Sequence, residues 1–188
     1  MNAASKLEDP WRFARNVFLA LVSAAALSLV APCTARAEPP GNPTAVKQDD
    51  DGIWRDNDGD PTFKIGPDGT VDWYTYSGYI RYTSECLRCH GPDGEGSSYA
   101  PALANSLRTI GFDEFYGIVV SGKKDVGAAN DLVMPAFASD KNVMCYLTDI
   151  YVYLRARSVN AIPRGRPAKH ATPPATFEKN EDKCMGPS

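Results

Sequence analysis

The sequence predicts a mainly α-helical domain with an arm at each end. At 188 residues, the chain most simply forms one domain with appended segments. Its apolar fraction of 43% is ordinary for a protein with a hydrophobic core. Apolar residues recur at helical spacing in the central part of the chain, and little β-structure is needed anywhere to account for the sequence.

Three helical segments are predicted, over about 77–89, 112–122 and 141–157. The second segment ends at Gly122, a typical helix stop. The third follows Asp140, a favourable N-terminal cap, and it carries an apolar stripe along one face. The stripe consists of Val143, Leu147, Ile150 and Leu154.

Gly78 on the first predicted helix has no side chain, so that a second helix can approach it closely. Tyr82 follows one turn later and lies on the same face. Tyr153 and Leu154 on the last helix are the expected partners. We therefore predict that the first and last helices cross here, although Gly78 could instead simply begin its helix.

The first 37 residues have the pattern of an export signal. Arg12 and Arg15 precede an apolar run over 17–33, and a small-residue cleavage pattern ends at Ala37. An uncleaved membrane anchor is the alternative, but the run is short for a membrane span. We expect cleavage near Ala37, a periplasmic location and no membrane anchor in the mature protein.

Removal of this segment would leave a chain more acidic than the full sequence, whose formal net charge is −3. A mildly acidic protein has no electrostatic reason to bind nucleic acid. Removal would also leave an even number of cysteines, which oxidising conditions favour in an exported protein. These are Cys86, Cys89, Cys145 and Cys184.

The segment CLRCH at 86–90 carries the strongest chemical signal. A closed zinc site needs four Cys or His ligands, and no other part of the mature chain has a matching spacing. A thioredoxin-like dithiol requires a βαβ context and leaves His90 without a role. A covalent haem uses all three side chains, because two thiols one turn apart reach one porphyrin edge and the next imidazole reaches the iron. We predict one haem c, bound by Cys86 and Cys89 and ligated by His90.

Methionine is the usual sixth ligand in electron-carrying cytochromes. Of the three methionines after the signal, Met144 falls in the third predicted helix and Met185 lies near the end of the chain. Met134 precedes Pro135, which holds its segment extended. Met134 is the predicted axial ligand, with two alternatives: Met134 as core filler, and His170 as a second histidine ligand.

Four short blocks occur along the chain: CxxCHG at 86–91, APAL at 100–103, MPAF at 134–137 and DIYVYL at 149–154. Together they resemble the class I cytochromes c. Longer stretches at 68–86, 142–158 and 163–169 resemble a subfamily with four cysteines that is associated with methanol metabolism. The subfamily is related to cytochrome cL, the electron acceptor of quinoprotein methanol dehydrogenases.

This resemblance implies a class I cytochrome c fold with an N-terminal extension and a disulfide-tied C-terminal tail. It also implies that the carbonyl of Pro101 accepts a hydrogen bond from His90 and that Leu103 packs on the haem. The expected segments are a signal peptide over 1–37, an N-terminal extension over 38–72, a cytochrome c domain over 73–158 and a tail packed on the domain over 159–188.

Cys145 and Cys184 are expected to form the disulfide of this tail. The bridge would close a loop of about 40 residues, worth roughly 4 kcal/mol in the chain-entropy model. The segment 158–188 has few large apolar residues, so burial alone would not hold it on the domain. Two free thiols are the alternative.

The expected function is electron transfer without enzymatic activity. The resemblance implies a quinoprotein alcohol or methanol dehydrogenase, the lanthanide-dependent type included, as the donor and a terminal cytochrome or oxidase as the acceptor. A peroxidase-like haem enzyme and a gas-binding haem sensor are the alternatives. Asp56, Asp58 and Asp60 alternate as calcium ligands do, but an EF-hand loop would need a Gly and a Glu where Pro61 and Pro67 stand. Solvated turns are expected there, with calcium as the alternative.

Overall fold

A computed structural model describes residues 41–125 and 132–186. The predicted signal peptide over 1–37 lies outside these residues. Within them, the chain forms short strands and helices in the following order: β1 (Lys47–Gln48), β2 (Trp54–Arg55), β3 (Pro61–Thr62), α1 (Trp73–Glu85), α2 (Leu87–His90), a 3₁₀ turn (Pro92–Gly94), α3 (Leu103–Ser106), α4 (Phe112–Ser121), β4 (Lys123–Asp125), β5 (Leu132–Met134), α5 (Lys141–Met144), α6 (Leu147–Ser158) and α7 (Ala175–Met185).

Helix α1 begins four residues earlier than predicted because Asp72 caps it. The Asp72 carboxylate accepts hydrogen bonds from the Thr75 backbone N–H at 3.0 Å and from the Thr75 hydroxyl at 2.6 Å. The helix also ends earlier, since Cys86 (φ −108°, ψ −30°) separates α1 from the short helix α2. The prediction of one helix over 77–89 was therefore wrong at both ends.

The third predicted helix is divided in the same way. Asp140 caps α5 through the Asn142 N–H, as predicted, at 2.9 Å. The backbone then leaves helical geometry at Tyr146 (φ −124°, ψ 17°), and α6 starts at Leu147. The apolar stripe nevertheless points inward along both helices, because Val143, Leu147 and Ile150 are all buried.

Helices α1 and α6 cross at Gly78, which confirms the predicted crossing. A Cβ atom at Gly78 would lie 1.9 Å from the backbone oxygen of Asp149 and 2.8 Å from the Cβ of Tyr153. The closest neighbours of Gly78 on α6 are thus Asp149 and Tyr153, whereas the predicted pair was Tyr153 and Leu154. Beside it, the Ser77 hydroxyl donates to the buried Asp149 carboxylate at 2.6 Å.

The hydrophobic core lies between α1, α4 and α6. Tyr82 of α1 packs against Tyr153 of α6, with ring centroids 5.5 Å apart. Phe112 and Phe115 of α4 pack against Tyr151 at 5.1 and 5.4 Å. Almost all of α6 is buried, so that this helix forms the centre of the domain.

The N-terminal extension forms a three-stranded antiparallel meander in the order β1-β2-β3. The buried guanidinium of Arg155 on α6 donates to the Gly41 carbonyl at 2.6 Å and to the Leu107 carbonyl at 2.9 Å. A side chain of the central helix therefore holds the start of the described extension against the domain. In the described part of the chain, no helix has the length and apolar character needed to cross a membrane.

The C-terminal tail ends in α7, a helix that the sequence analysis did not predict. Cys145 and Cys184 form a disulfide that ties α7 to the end of α5. Lys141 Nζ also donates to the Met185 carbonyl at 2.9 Å. No residue of α7 is buried, in agreement with the expectation that burial alone would not hold the tail.

Candidate haem site

Two thiols and an imidazole lie on one helical turn at the end of α1 and in α2. The backbone N–H groups of Cys89 and His90 both donate to the Cys86 carbonyl, at 3.2 and 2.9 Å. Neither thiol is part of a disulfide; Cys86 is partly buried, Cys89 is exposed and His90 is buried. This turn presents two sulfur atoms and one imidazole ring from positions 86, 89 and 90.

The His90 ring is held by a single backbone oxygen. Its Nδ1 atom lies 3.0 Å from the Pro101 carbonyl oxygen. Since a carbonyl oxygen only accepts, Nδ1 is the donor in this contact and Nε2 keeps a free lone pair. Burial lowers the pKa of His90, and the bond to Pro101 opposes this shift. A neutral imidazole with one oriented lone pair is the form that binds a metal.

The loop after His90 is folded back onto the haem-binding turn, which comprises residues 86–90. Gly96 N–H donates to the His90 carbonyl at 2.8 Å, and the Tyr82 hydroxyl donates to the Gly91 carbonyl at 2.5 Å. At Gly96 (φ +84°), a Cβ atom would lie 2.7 Å from the backbone nitrogen of Ala102. Only a residue without a side chain allows the loop to lie this close to the segment that presents Pro101.

The sequence analysis missed a polar clamp on the same loop. The Asp93 carboxylate accepts from the Gly165 N–H at 2.8 Å and from Arg164 Nε at 3.2 Å. Nearby, the buried Arg157 guanidinium lies 2.9 Å from the Glu95 carboxylate. The Asp-Gly pair at 93–94 is typical of a turn. The residues that bind this loop lie about 60 to 70 positions further along the sequence, and only the folded chain reveals them.

Cys86 is buried enough to suppress its ionisation. Burial, followed by the nearby carboxylate of Glu85 and the thiol of Cys89, raises the pKa of Cys86 to about 12. A thiolate, which is the form that binds zinc, is therefore disfavoured at this position. A thioether has no proton to lose, so the same burial carries no such penalty for a thioether sulfur.

Met134 and Leu103 join the hydrophobic cluster that contains Cys86 and Leu87. Both side chains are partly buried and pack against its buried residues. Met134 ends strand β5 and pairs with Lys123 of β4. Cys86, Met134 and Leu103 thus all pack against the same hydrophobic core.

His170 and the second pair of cysteines are engaged elsewhere. The His170 ring is exposed and stacks on Tyr76 with a centroid distance of 3.7 Å. Cys145 and Cys184 are bonded to each other. Over residues 41–125 and 132–186, no group of three or more His, Cys, Asp or Glu side chains is arranged to hold a metal ion.

The acidic turn at 56–60 is organised by its own backbone. Asp56 Oδ1 accepts from the N–H groups of Asp58 and Asp60, each at 3.0 Å. Burial, and then the charge of Asp56, raises the pKa of Asp60. These contacts are those of a turn, and calcium binding here stays an untested alternative.

The donor set at the haem-binding turn fits a covalently attached haem. It combines two unpaired thiols on one turn with a neutral imidazole whose Nε2 keeps a free lone pair. Zinc fits less well, because the other two cysteines described are joined in a disulfide and the described residues offer no cluster of three or more metal-binding side chains.

Comparison with known proteins agrees with this chemistry. The crystal structure of the c-type cytochrome XoxG from Methylobacterium extorquens AM1 has a similar fold, with a TM-score of 0.70 and 52% identity, over 76% of this chain and 86% of that chain. Cytochrome c-555 of Methylococcus capsulatus is 36% identical over 96 residues, or 50% of this chain and 72% of that protein. The chain belongs to the c-type cytochromes.

A third relative, cytochrome c-553I of Paracoccus denitrificans, is 53% identical over 136 residues. The match covers 72% of this cytochrome and 60% of the Paracoccus protein, so the chain spans less than two thirds of that relative. No family model matches the chain.

The comparisons confirm the family resemblance and the fold class predicted from the sequence, including the disulfide-tied tail. Membership implies that this cytochrome binds haem c covalently and transfers electrons.

Proposed function

We propose that this cytochrome is a periplasmic carrier with one haem c, which takes single electrons from a PQQ-dependent alcohol or methanol dehydrogenase. A downstream cytochrome or oxidase would then accept them. The observation that carries this proposal is the fixed orientation of His90: its Nδ1 is bound to Pro101 within the turn that also presents two free thiols. Bound haem c supplies a reversible one-electron iron couple.

Each proposed site residue would have one role in binding the haem. Cys86 and Cys89 would form the thioethers, and His90 Nε2 and Met134 Sδ would hold the iron from its two sides. Pro101 keeps the proton on His90 Nδ1, and Leu103 would cover the porphyrin. If His90 and Met134 both hold the iron, no iron position would be left open for a substrate or a gas, which favours a carrier over a haem enzyme or sensor.

The electron donor is proposed from the subfamily. The stretches that resemble the cytochromes of methanol metabolism lie on α1, α6 and the tail, and XoxG is 52% identical to this chain. The docking face would lie near Cys86, Gly91 and the segment 134–137. Electron-transfer contacts of this kind tend to be small and short-lived.

Export is proposed from the signal-like first 37 residues, with the extension over 38–72, the cytochrome c domain over 73–158 and the tail over 159–188 remaining in the mature protein. A disulfide at Cys145 and Cys184 suits an oxidising compartment such as the periplasm.

The substitution Met134→Ala tests the axial ligand. The purified holoprotein should lose the weak far-red absorption band of a ferric iron–thioether bond, bind carbon monoxide when reduced, and have a lower midpoint potential, because methionine ligation raises the potential. Met144→Ala is the matched control, since Met144 is also partly buried against the core but lies on α5. An unchanged spectrum and potential in Met134→Ala would exclude Met134 as the ligand.

Two further measurements separate the carrier from its alternatives and identify the donor. Carbon monoxide binding by the unmodified reduced protein at neutral pH would favour a haem enzyme or a sensor. Stopped-flow reduction by a quinoprotein methanol dehydrogenase should be fast at micromolar concentrations. Slow reduction by that enzyme together with fast reduction by another dehydrogenase would reject the methanol donor and retain the carrier.

A further inference from the structure

The segment that carries Met134 is attached to the end of α4 through backbone contacts. Strand β5 pairs with β4, and Met134 lies directly opposite Lys123 in this ladder. Three residues further on, the Phe137 N–H donates to the Val119 carbonyl of α4 at 3.0 Å. The position of Met134 is thus determined by where α4 ends.

Gly122 lies at the centre of these attachments. It ends α4 with a positive φ of +72°, a conformation that favours glycine. A Cβ atom at this position would lie 2.6 Å from the Met134 carbonyl oxygen, 2.8 Å from the Ala136 nitrogen and 2.9 Å from the Pro135 carbonyl carbon. All three are backbone atoms, so none can move aside by a simple change of rotamer.

Movement of helix α4 cannot relieve the contact between position 122 and the Met134 segment without loss of packing. Helix α4 is held in place by the buried side chains of Phe115 and Val119, and Phe115 packs on Tyr151 of α6. Pro135 restricts its own φ and holds Met134 in an extended conformation. Added volume at position 122 would therefore displace the Met134 segment rather than the helix.

We infer that Gly122 is a positioning residue for the Met134 thioether, because its missing side chain lets the Met134–Pro135 peptide lie against the end of α4. This inference rests on the proposed role of Met134 as the axial ligand. It assigns to Gly122 an effect on the sixth position of the iron that is independent of the haem-binding turn.

The test is Gly122→Ala in the full holocytochrome. The variant should keep its covalent haem and its helical circular dichroism. It should lose most of the far-red iron–thioether band, bind carbon monoxide when reduced, and shift its midpoint potential in the same direction as Met134→Ala.

Two glycines provide matched controls, because a Cβ atom at either would meet nothing within 4 Å. Gly117 lies in the same helix, so Gly117→Ala tests a methyl group on α4 without the contact. Gly59 has a φ of +88°, so Gly59→Ala tests a positive φ without the contact. Both variants should keep the band and exclude carbon monoxide.

The double variant Gly122→Ala/Met134→Ala distinguishes positioning from general damage. If Gly122 acts through Met134, the double variant should match Met134→Ala in carbon monoxide affinity within about twofold and should have the same midpoint potential. An additional change of tenfold or more would show that Gly122 acts on the haem by another route and would overturn the inference.

The remaining outcomes are also decisive. A folded Gly122→Ala protein with a full far-red band and no carbon monoxide binding overturns the inference, while a loss of the band in Met134→Ala keeps the proposed function. If Gly122→Ala fails to fold and attach haem while Gly59→Ala does both normally, the inference is overturned as well, because Gly122 would then support the whole fold. An intact band in Met134→Ala itself rejects the proposed ligand instead.

Discussion

Helices α6 and α7 are similar in length but are held in the protein by different forces. Eleven residues of α6 are buried, from Leu147 to Ser158, whereas no residue of α7 is buried. Removing apolar surface from water contributes about 25 cal/mol per Å², so α6 is stabilised by burial that α7 lacks. The comparison predicts that α7, unlike α6, depends on its covalent bond to the domain.

The noncovalent contacts of α7 are polar or only partly buried. Glu181 lies 3.1 Å from Arg81, each about one third exposed, and also accepts from the hydroxyl of the buried Tyr146. Ion pairs of this kind contribute about 0–1 kcal/mol. Thr176 and Asn180 each donate to Asp51 at 3.0 Å, and Phe177 makes aromatic contacts with Trp73 at 5.4 Å and Tyr74 at 5.9 Å. We expect these contacts to orient α7 and the disulfide to be its main attachment.

The largest expected effect comes from filling the α1–α6 contact. Gly78→Ala would place a methyl carbon 1.9 Å from the Asp149 backbone oxygen, and neither helix can yield without loss of packing. We expect the free energy of unfolding of the holoprotein to fall by about 4 kcal/mol or more, at the upper end for overpacking. Chemical denaturation followed by circular dichroism measures this change.

Gly117→Ala is the control for that experiment. It adds the same methyl group to a helix interior where nothing lies within 4 Å. It should stabilise the protein by about 0.5–1 kcal/mol, because alanine loses less conformational entropy than glycine. A loss below about 1 kcal/mol in Gly78→Ala would mean that the two helices can separate at little cost.

Removal of the disulfide should have the next largest effect. The double variant Cys145→Ser/Cys184→Ser opens a link between residues 39 positions apart. The expected loss in the free energy of unfolding is about 3 kcal/mol, somewhat below the chain-entropy value of roughly 4 kcal/mol because measured values commonly fall short of that model. Because α7 has no buried residues, its release should leave the visible haem spectrum unchanged and expose the lysines of the tail to trypsin.

Reduction of the unmodified protein by a phosphine should reproduce both results. The prediction fails if the tail of the double variant resists trypsin as well as that of the unmodified protein. In that case the polar contacts of Glu181 and the packing of Phe177 would hold α7 without the covalent bond.

The smallest expected effect concerns the polar group buried within the α1–α6 contact. Burial raises the pKa of Asp149 from 3.8 to about 7, while the hydrogen bond from Ser77 opposes the shift. The charge of Arg81 also lowers this pKa and that of Asp72 raises it. Between about pH 4 and 7, the folded protein therefore keeps a proton that the unfolded chain releases, so stability should fall as pH rises through this range and level off above it.

Asp149→Asn should remove this pH dependence and stabilise the protein at pH 8, where the native carboxylate is buried and charged. Thermal denaturation from pH 4 to pH 8 measures the profile. Ser77→Ala removes a hydrogen bond that lowers the pKa of Asp149. The stability of this variant should therefore keep falling to a higher pH than that of the unmodified protein. Parallel profiles for Asp149→Asn and the unmodified protein would reject the buried titration.

The helices that sequence patterns predicted well are those whose signals are local. Helix α4 was predicted within one residue, because aromatic residues at helical spacing lead to Gly122. The start of α1 was misplaced because no apolar pattern marks its cap, Asp72. The Asp72 carboxylate accepts hydrogen bonds from Thr75 inside the helix and from the Lys64 N–H outside it. Helix α7 was missed because its sequence has no buried face to produce a periodic pattern.

The chain by itself determined the chemistry of this cytochrome. Two cysteines and a histidine on one helical turn predict the haem attachment, since the spacing of residues on a helix follows from backbone geometry. Tertiary structure decided how these groups are held. The Pro101 oxygen on His90, the Asp93 clamp, the fit of Gly122 against Met134 and the burial of Asp149 all join residues that are distant in the sequence. Such contacts depend on how the helices pack, which local propensity does not encode.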